Sequence, residues 1–106
     1  MVLEIYKITK KFPKDEKFGI TSQIRRAASS ITANIAEGCG RYHYADKNRF
    51  YFQARGSLKE VQNFLFLSRD LNFLDNKSFN DLTKKIKIIE QLLNGLIKSV
   101  ENRTKK

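Results

Sequence analysis

Residues 12–41 read FPKDEKFGITSQIRRAASSITANIAEGCGR and contain both the start and the stop signals of one helix. Pro13 and Gly19 interrupt the chain on either side of a charged loop. Thr21 or Ser22 is then predicted to cap a new helix, because a hydroxyl oxygen can accept hydrogen bonds from the free backbone N–H groups of the first turn. The sequence therefore predicts that a helix begins beside these two residues.

This helix is predicted to span residues 22–38, because Gly38 and Gly40 can supply the left-handed residue that ends many helices. Its inward face is predicted from apolar residues that recur at spacings of three and four, namely Ile24, Ala28, Ile31 and Ile35. Alanine and serine fill many of the flanking positions, so the helix has shallow sides. Such sides let neighbouring helices approach closely.

Residues 12–41 resemble the signature of a bacterial four-helix-bundle family. This family comprises the 23S ribosomal RNA intervening-sequence proteins and the accessory variability proteins of diversity-generating retroelements. The resemblance weakens after Leu71, and in the next helix it is carried by Phe50, Ala54, Gly56, Ser57, Leu58 and Glu60. The residues that match the motif, and that we expect in structural or interface positions, are Arg25, Arg26, Asn34, Glu37 and Arg41.

The resemblance implies an antiparallel, up-and-down four-helix bundle whose first helix is short in this chain. It also implies a ring-shaped homopentamer without known catalysis. In the retroelement branch it implies binding of nucleic acid or of a reverse transcriptase. The expected partners are therefore further copies of the chain, nucleic acid and, as an alternative, a reverse transcriptase.

Composition favours a single helical domain over residues 1–106. One proline and five glycines argue against a loop-rich all-β fold, and 41% apolar residues can build one core. The one cysteine cannot form an internal disulfide, and the chain has neither a signal-like segment nor an apolar run that could cross a bilayer. A reducing cytosol, with no membrane attachment, is the default expectation.

The charge predicts a polyanionic partner. Lysine and arginine number 21 against 11 acidic residues, which gives a net charge of +10. Phosphate backbones are the natural partners of such a field, although anionic membranes and acidic proteins use the same attraction, and plain solubility is the simpler reading. The side chains predicted to contact phosphates are Lys10, Lys11, Lys14, Lys17, Arg55, Lys59 and Arg69. No motif predicts that the base sequence is read.

The remaining helices are predicted over residues 2–12, 45–72 and 78–101. The first ends at Pro13, since the residue before a proline disfavours the helical conformation. The last begins at Ser78 with Asp81 three residues later, an acidic form of the capping box. The inward stripe of the third helix is predicted to be Phe50, Ala54, Leu58, Val61 and Leu65.

Aromatic residues on the far side of the third helix need a partner. Phe52 and Phe66, with neighbouring Tyr51, are predicted to lie away from this stripe among the cations of the same helix. A monomer rarely leaves such residues in water, so contact with another subunit is the preferred interpretation. Base stacking between the cations, and simple exposure, are the alternatives.

The last helix carries apolar residues around more than one face. Its seam is predicted from an unbroken alternation of spacings of three and four, in Phe79, Leu82, Ile86, Ile89, Leu93, Leu96 and Val100. Ile88, Leu92 and Ile97 widen this arc, so the helix is predicted to contact two partners, as a ring requires.

Catalysis finds little support in the sequence. Cys39 and His43 give fewer ligands than a zinc site needs, so no metal or cofactor is predicted. Glu37 is expected to form an ion pair with Arg26, Arg25 or Arg41. Two alternatives to a non-enzymatic nucleic-acid binder remain open, an adaptor for a reverse transcriptase or ribonucleoprotein, and a small nuclease that uses Asp46, Glu37 or His43.

Overall fold

The computed structural model describes residues 1–104, and the last two residues of the predicted domain lie outside this range. The described chain forms four α-helices and no strand, with a short 3₁₀ helix between the first two. The elements are α1 (Val2–Thr9), the 3₁₀ helix (Lys14–Glu16), α2 (Ile20–Gly40), α3 (Tyr44–Asp70) and α4 (Asn76–Thr104). The molecule measures 51 × 24 × 18 Å. The predicted all-α bundle of four helices is confirmed.

Neighbouring helices run antiparallel. Between α2 and α3, Arg26 pairs with Glu60 at 2.7 Å, while the hydroxyl of Ser57 donates to that of Ser30 at 3.0 Å. Residue numbers therefore rise along one helix as they fall along the other. The same reversal joins α3 to α4, in the contacts Lys59–Glu90 and Arg55–Asn94.

The short helix α1 depends on its neighbours. An isolated helix of 8 residues is unstable in water, so its stability must come from docking. Ile5 is fully buried, and the Nε of Arg25 on α2 donates to the buried hydroxyl of Thr9 at 2.8 Å. Glu4 forms an ion pair with Lys85 on α4. Helix α1 therefore contacts both α2 and α4. It lies in the space between these two helices, which we call the trough.

The rest of that trough is an open apolar groove. Because α4 has 29 residues and α1 has 8, α1 covers only one part of the trough. The groove has a volume of about 570 Å³. It is lined by Met1, Val2, Ala28, Ile31, Thr32, Ile35, Ile89, Gln91, Leu92, Leu93, Gly95 and Leu96. None of these lining side chains carries a charge.

The predicted stripe of α3 is confirmed at four of its positions, since Ala54, Leu58, Val61 and Leu65 are buried. Phe50 is only half-buried, and Tyr51 takes its place in the core with 2% of its surface exposed. The placement of Tyr51 on the far side of α3 was therefore wrong. The helical period of the sequence does not show which of the two adjacent aromatic residues, Phe50 or Tyr51, is buried. Packing against α2 decides this in favour of Tyr51.

The ends of α2 differ from the prediction. The helix begins at Ile20 after Gly19, no side chain caps it, and Thr21 is buried inside its first turn. Gly38 and Gly40 do not stop it either, because α2 continues through both and ends where Arg41 becomes extended. No glycine in residues 1–104 has a positive φ.

Gly38 does not end α2. It allows α3 to pack closely against α2. A Cβ at this position would lie 2.5 Å from Cε1 of Tyr51 and 3.2 Å from the carbonyl oxygen of Lys47. The missing side chain therefore makes room for the Tyr51 ring. Lys47 donates to the carbonyl oxygens of Gly38 and Cys39 at 3.2 and 3.0 Å, which satisfies free acceptors at the end of α2.

The turn between α3 and α4 has its own signals. Asn72 adopts a left-handed conformation with φ 63°, and the N–H of Phe73 donates to the carbonyl of Ser68 at 2.9 Å, a Schellman motif. Asp75 caps α4, because its Oδ1 accepts the N–H of Ser78 at 2.7 Å. The prediction that Ser78 begins the helix with Asp81 was therefore wrong, since the cap lies three residues earlier.

Other boundaries also moved. Helix α1 ends at Thr9, three residues before the predicted end, and the N–H groups of Lys11 and Phe12 then bond to the carbonyls of Ile8 and Thr9 at 3.2 and 3.1 Å, in a tighter turn that leads into Pro13. Helix α3 spans Tyr44–Asp70 instead of 45–72, and α4 continues to Thr104 instead of ending at residue 101. In α4 the seam is confirmed at Phe79, Leu82, Ile86, Leu93 and Val100. Ile97 is buried with them, whereas Ile89 and Leu96 are half-buried beside the groove.

Gly38→Ala is expected to destabilise the protein, because the added Cβ would collide with the Tyr51 ring. Forcing a methyl group into such a contact typically costs about 1–3 kcal/mol in the free energy of unfolding. Gly40→Ala is the matched control, since a Cβ there meets nothing within 4 Å and alanine favours a helix. Urea unfolding followed by circular dichroism measures both variants, and equal stability of the two would contradict the packing role of Gly38.

The buried phenol of Tyr51 predicts a loss of stability at alkaline pH. Burial, reinforced by the contact of its hydroxyl with Sγ of Cys39 at 3.5 Å, raises the pKa of Tyr51 to about 12. The unfolded chain releases this proton near pH 10, so the stabilisation is complete below that pH and is lost as the pH rises through the folded pKa.

Tyr51→Phe removes the titrating group and should flatten this dependence. Between pH 9 and 11.5 the wild type is expected to lose about 1–2 kcal/mol more than the variant, measured from urea midpoints. Tyr42→Phe, which removes an exposed hydroxyl, should behave as the wild type. Identical pH profiles for wild type and Tyr51→Phe would rule out the effect.

Candidate nucleic-acid interface

The connection between α1 and α2 is fixed to the α3–α4 turn. The ring of Phe12, which is 6% exposed, packs against that of Phe73 with centroids 5.6 Å apart. Leu74 is buried beneath the same turn. This anchor holds residues 10–19 at one end of the bundle.

This end displays lysines, and we call it the lysine end. It consists of Lys10, Lys11, Lys14, Lys17 and Lys77. All five side chains are exposed, and none forms an ion pair within residues 1–104. The structure therefore brings together four of the predicted phosphate contacts and adds Lys77.

The field of these lysines reaches the nearby carboxylate of Asp75. The hydrogen bond from the Ser78 N–H holds the pKa of Asp75 below its usual value, and the charges of Lys11 and Lys77 lower it further. Asp15 and Glu16 lie in the same connection and partly offset the positive charge.

An exposed aromatic ring lies next to the lysines. Phe18 is 86% exposed, and the Nζ of Lys17 lies 5.7 Å from its ring centroid. Flexible lysine side chains can reach phosphate oxygens from such a surface while their charges stay in water. The lysine end therefore has the chemistry of a phosphate-backbone contact.

The other three predicted cations lie along the seam between α3 and α4. Arg55 donates to Oδ1 of Asn94 at 3.2 Å, and Lys59 pairs with Glu90 at 2.8 Å. Arg69 pairs with Asp70 and covers the rings of Phe66 and Phe79 at 5.3 and 4.5 Å. These three cations are engaged by their neighbours, Arg55 and Lys59 along the seam and Arg69 next to the α3–α4 turn.

Phe52 and Phe66 lie beside α4 and remain 46% and 49% exposed. Arg55 lies 5.1 Å from the ring of Phe52. Phe66 packs against Phe79 with centroids 5.3 Å apart. Both rings are thus partly covered within the chain, and half of each surface faces solvent.

Two of the motif residues, Arg25 and Arg26, hold α2 to its neighbours, whereas Asn34 bonds within α2. Arg25 binds Thr9 and lies 4.7 Å from the ring of Tyr6, which ties α2 to α1. Arg26 binds Glu60, which ties α2 to α3. Asn34 donates to the carbonyl and the hydroxyl oxygen of Ser30, at 2.9 and 3.0 Å.

Glu37 forms its ion pair with Arg41, one helical turn further on, at 3.2 Å. Of the three partners considered for Glu37, this is the one that the structure shows. No group of three or more His, Cys, Asp or Glu side chains is placed to hold a metal ion in the described part of the chain. No described helix is both long and apolar enough to span a membrane.

The prediction missed a cluster at the opposite end, which we call the aromatic end. It consists of Arg41, Tyr42, His43, Tyr44, Lys47, Arg49, Phe50 and Arg103. The alternation of cations and aromatic rings in residues 41–50 was the available signal. The sequence does not show that Arg103 belongs to this cluster. Its guanidinium donates to the Tyr44 hydroxyl at 2.9 Å, although the two residues are 59 positions apart in the sequence.

Comparison with known proteins identifies the family. A family model described as 23S rRNA-intervening sequence protein matches residues 1–95. A crystal structure of a protein of unknown function from the S23 ribosomal protein family of Bacteroides thetaiotaomicron is similar in fold, with a TM-score of 0.80 and 24% identity over 92% of this chain and 88% of that chain. The comparison with curated proteins gave no match. Since the family model covers most of the chain, the protein belongs to the 23S rRNA-intervening sequence protein family.

Proposed function

We propose that this protein is a basic, oligomeric helical bundle that binds nucleic acid through charge and shape, without catalysis. The observation that carries the proposal is the lysine end, where exposed lysines without an ion-pair partner in residues 1–104 gather on an anchored loop. The chain has a net charge of +10, and this surface contributes five exposed lysines to it.

Counterion release supplies the driving force for such binding. Each phosphate that a lysine neutralises releases condensed cations from the nucleic acid, so affinity falls steeply with salt. The lysines do not read base edges, and binding at this end should therefore depend little on sequence. The family description refers to 23S rRNA, so RNA is the first polyanion to test.

The triple variant Lys11→Gln, Lys14→Gln, Lys17→Gln is expected to weaken RNA binding. Binding weakens as salt rises, so a plot of log K, the association constant for RNA, against log salt has a negative slope. Loss of three phosphate contacts should make this slope less steep by about 2 for single-stranded RNA. The matched control is Lys84→Gln, Lys87→Gln, Lys98→Gln, which removes the same charge from the exposed face of α4. Fluorescence anisotropy with a labelled 20-nucleotide RNA between 50 and 200 mM salt measures both slopes.

Equal slopes for the two triple variants would mean that only net charge matters, and would overturn the assignment to the lysine end. If the wild type fails to bind RNA and DNA at 50 mM salt, the proposed function itself is wrong.

The apolar groove supports self-association, and we assign a second copy of the chain as its occupant. Ile88 and Leu92 form an apolar ridge on α4 and are 57% and 64% exposed. Leu92 also lines the groove, so each molecule carries a ridge and a groove side by side. The side chains of the lining are uncharged, so two strongly basic molecules can approach there without burying a side-chain charge. The α-ammonium of Met1 lies 3.8 Å from the carboxylate of Glu4.

A ridge-to-groove contact generates closed rings. Each copy would give its ridge to one neighbour and receive a ridge from the other, which is a head-to-tail interface that closes when the rotation permits. Five copies is the number that the family resemblance implies. A ring would also multiply the positive field that attracts a polyanion.

Leu92→Glu is expected to dissociate the oligomer, because it places a charge in the apolar contact. Burial of one leucine contributes about 1.5–3 kcal/mol, so dissociation should become at least ~10-fold easier. Leu3→Glu is the control, since Leu3 is 82% exposed and lies outside the groove. Light scattering at 10–200 µM measures the mass, and a wild type that stays at 12.4 kDa throughout would refute the assembly.

A further inference from the structure

We infer that the aromatic end is a second nucleic-acid site, at which Tyr42 and His43 stack on unpaired bases. This inference rests on the proposed function and adds to it a substrate class, single-stranded nucleic acid. It concerns the end of the bundle opposite the lysine end, in a molecule 51 Å long.

Two rings are presented to solvent at this end. Tyr42 is 90% exposed, and His43 is exposed beside it. Their ring centroids are 5.1 Å apart with an interplanar angle of 89°. Since the planes are perpendicular, each ring keeps at least one face free of the other. A free aromatic face is the surface on which a base stacks, whatever its sequence.

Arginines lie over the neighbouring aromatic rings Phe50 and Tyr44. The guanidinium carbons of Arg41 and Arg49 lie 4.6 and 4.9 Å from the Phe50 ring centroid. Arg103 lies 5.2 Å from the centroid of the Tyr44 ring and also donates to its hydroxyl. These cation–π contacts place positive charges over rings that belong to the same end of the bundle as Tyr42 and His43.

The rings border a hollow of about 640 Å³. It is lined by Gly40, Arg41, Tyr42, His43, Tyr44 and Lys47. Sites for small ligands occupy about 300–1,000 Å³, so the space suits one extruded nucleotide. Gly40 contributes no side chain to this lining, and nothing lies within 4 Å of the place where its Cβ would be.

The local charge favours a phosphate over a carboxylate. Glu37 is already paired with Arg41. Asp46 and Glu101 are the other acidic residues on these parts of the helices, against the cations Arg41, Lys47, Arg49 and Arg103. The balance is positive, and the free rings lie within it, as stacking platforms for single strands require.

Three labelled probes of equal length separate base stacking from charge. They are a single-stranded 12-nucleotide RNA, its duplex, and an abasic strand that keeps the phosphates and lacks the bases. Tyr42→Ala is expected to weaken binding of the single strand about 5- to 100-fold, the range for one stacked base. Binding of the duplex and of the abasic strand should change by less than about two-fold, because no unpaired base is available.

Two further variants locate the effect. Tyr42→Trp keeps a stacking surface and should retain single-strand affinity. Phe18→Ala removes an equally exposed ring from the lysine end and should leave the preference for single strands unchanged. A single-stranded DNA of the same sequence shows whether the site requires the ribose hydroxyl, and stacking alone predicts similar affinities.

Distinct results overturn the inference. Equal weakening of all three probes by Tyr42→Ala would mean a general charge or folding effect. A loss confined to Phe18→Ala would place stacking at the lysine end. A change in mass of Tyr42→Ala in light scattering would make Tyr42 a subunit contact. Failure of the wild type to bind any probe at 50 mM salt would refute the proposed function, whereas binding of all three probes with equal affinity would refute only this site.

Discussion

The close approach of α2 to α3 positions every other helix. Small residues make it feasible, because Ala27 and Ala54 are fully buried and Gly38 leaves room for the ring of Tyr51. A hydroxyl pair between Ser30 and Ser57 satisfies two polar groups at the same interface. Helices α1 and α4 then dock on opposite partners of this pair, and α2 and α4 have no close backbone contact within residues 1–104. The space between them is the trough that α1 partly covers, and the groove is the part of this trough that α1 leaves open in the described chain.

Part of the positive charge lies away from the apolar groove. The side chains that line the groove are uncharged, and five exposed lysines lie on the loop and turn at one end, while Lys84, Lys87 and Lys98 lie on the exposed face of α4. Fixed charges repel weakly beyond a Debye length of about 8–10 Å at physiological salt. Copies that meet along the groove therefore bring apolar surface together while much of their positive charge stays at a distance. This arrangement would lower the repulsion between chains of net charge +10 in the proposed self-association.

Helical periodicity predicted the inward faces of α2, α3 and α4 from the sequence, because burial imposes a period of 3.6 residues. The ends were less accurate, since local signals competed with tertiary contacts: Gly38 is needed for packing, and Asp75 caps α4 ahead of Ser78. The local composition of residues 10–17 was enough to show that four lysines lie close together in the sequence. It could not reveal that Lys59 is engaged by Glu90, because the two lie 31 positions apart. The aromatic end was missed for the same reason, since Arg103 reaches Tyr44 only in the folded chain.

The two ends of the bundle hold their cations differently, and this difference has a chemical consequence. The lysines are compact charges on flexible stems, so their attraction to phosphate is electrostatic and is screened by salt. The arginines at the other end lie over aromatic rings, and Tyr42 offers a stacking face whose contact with a base is not an ionic interaction. As salt rises, the first attraction should fade faster than the second. A protein built in this way would capture nucleic acid through its backbone at one end, while the other end would distinguish unpaired bases from a duplex.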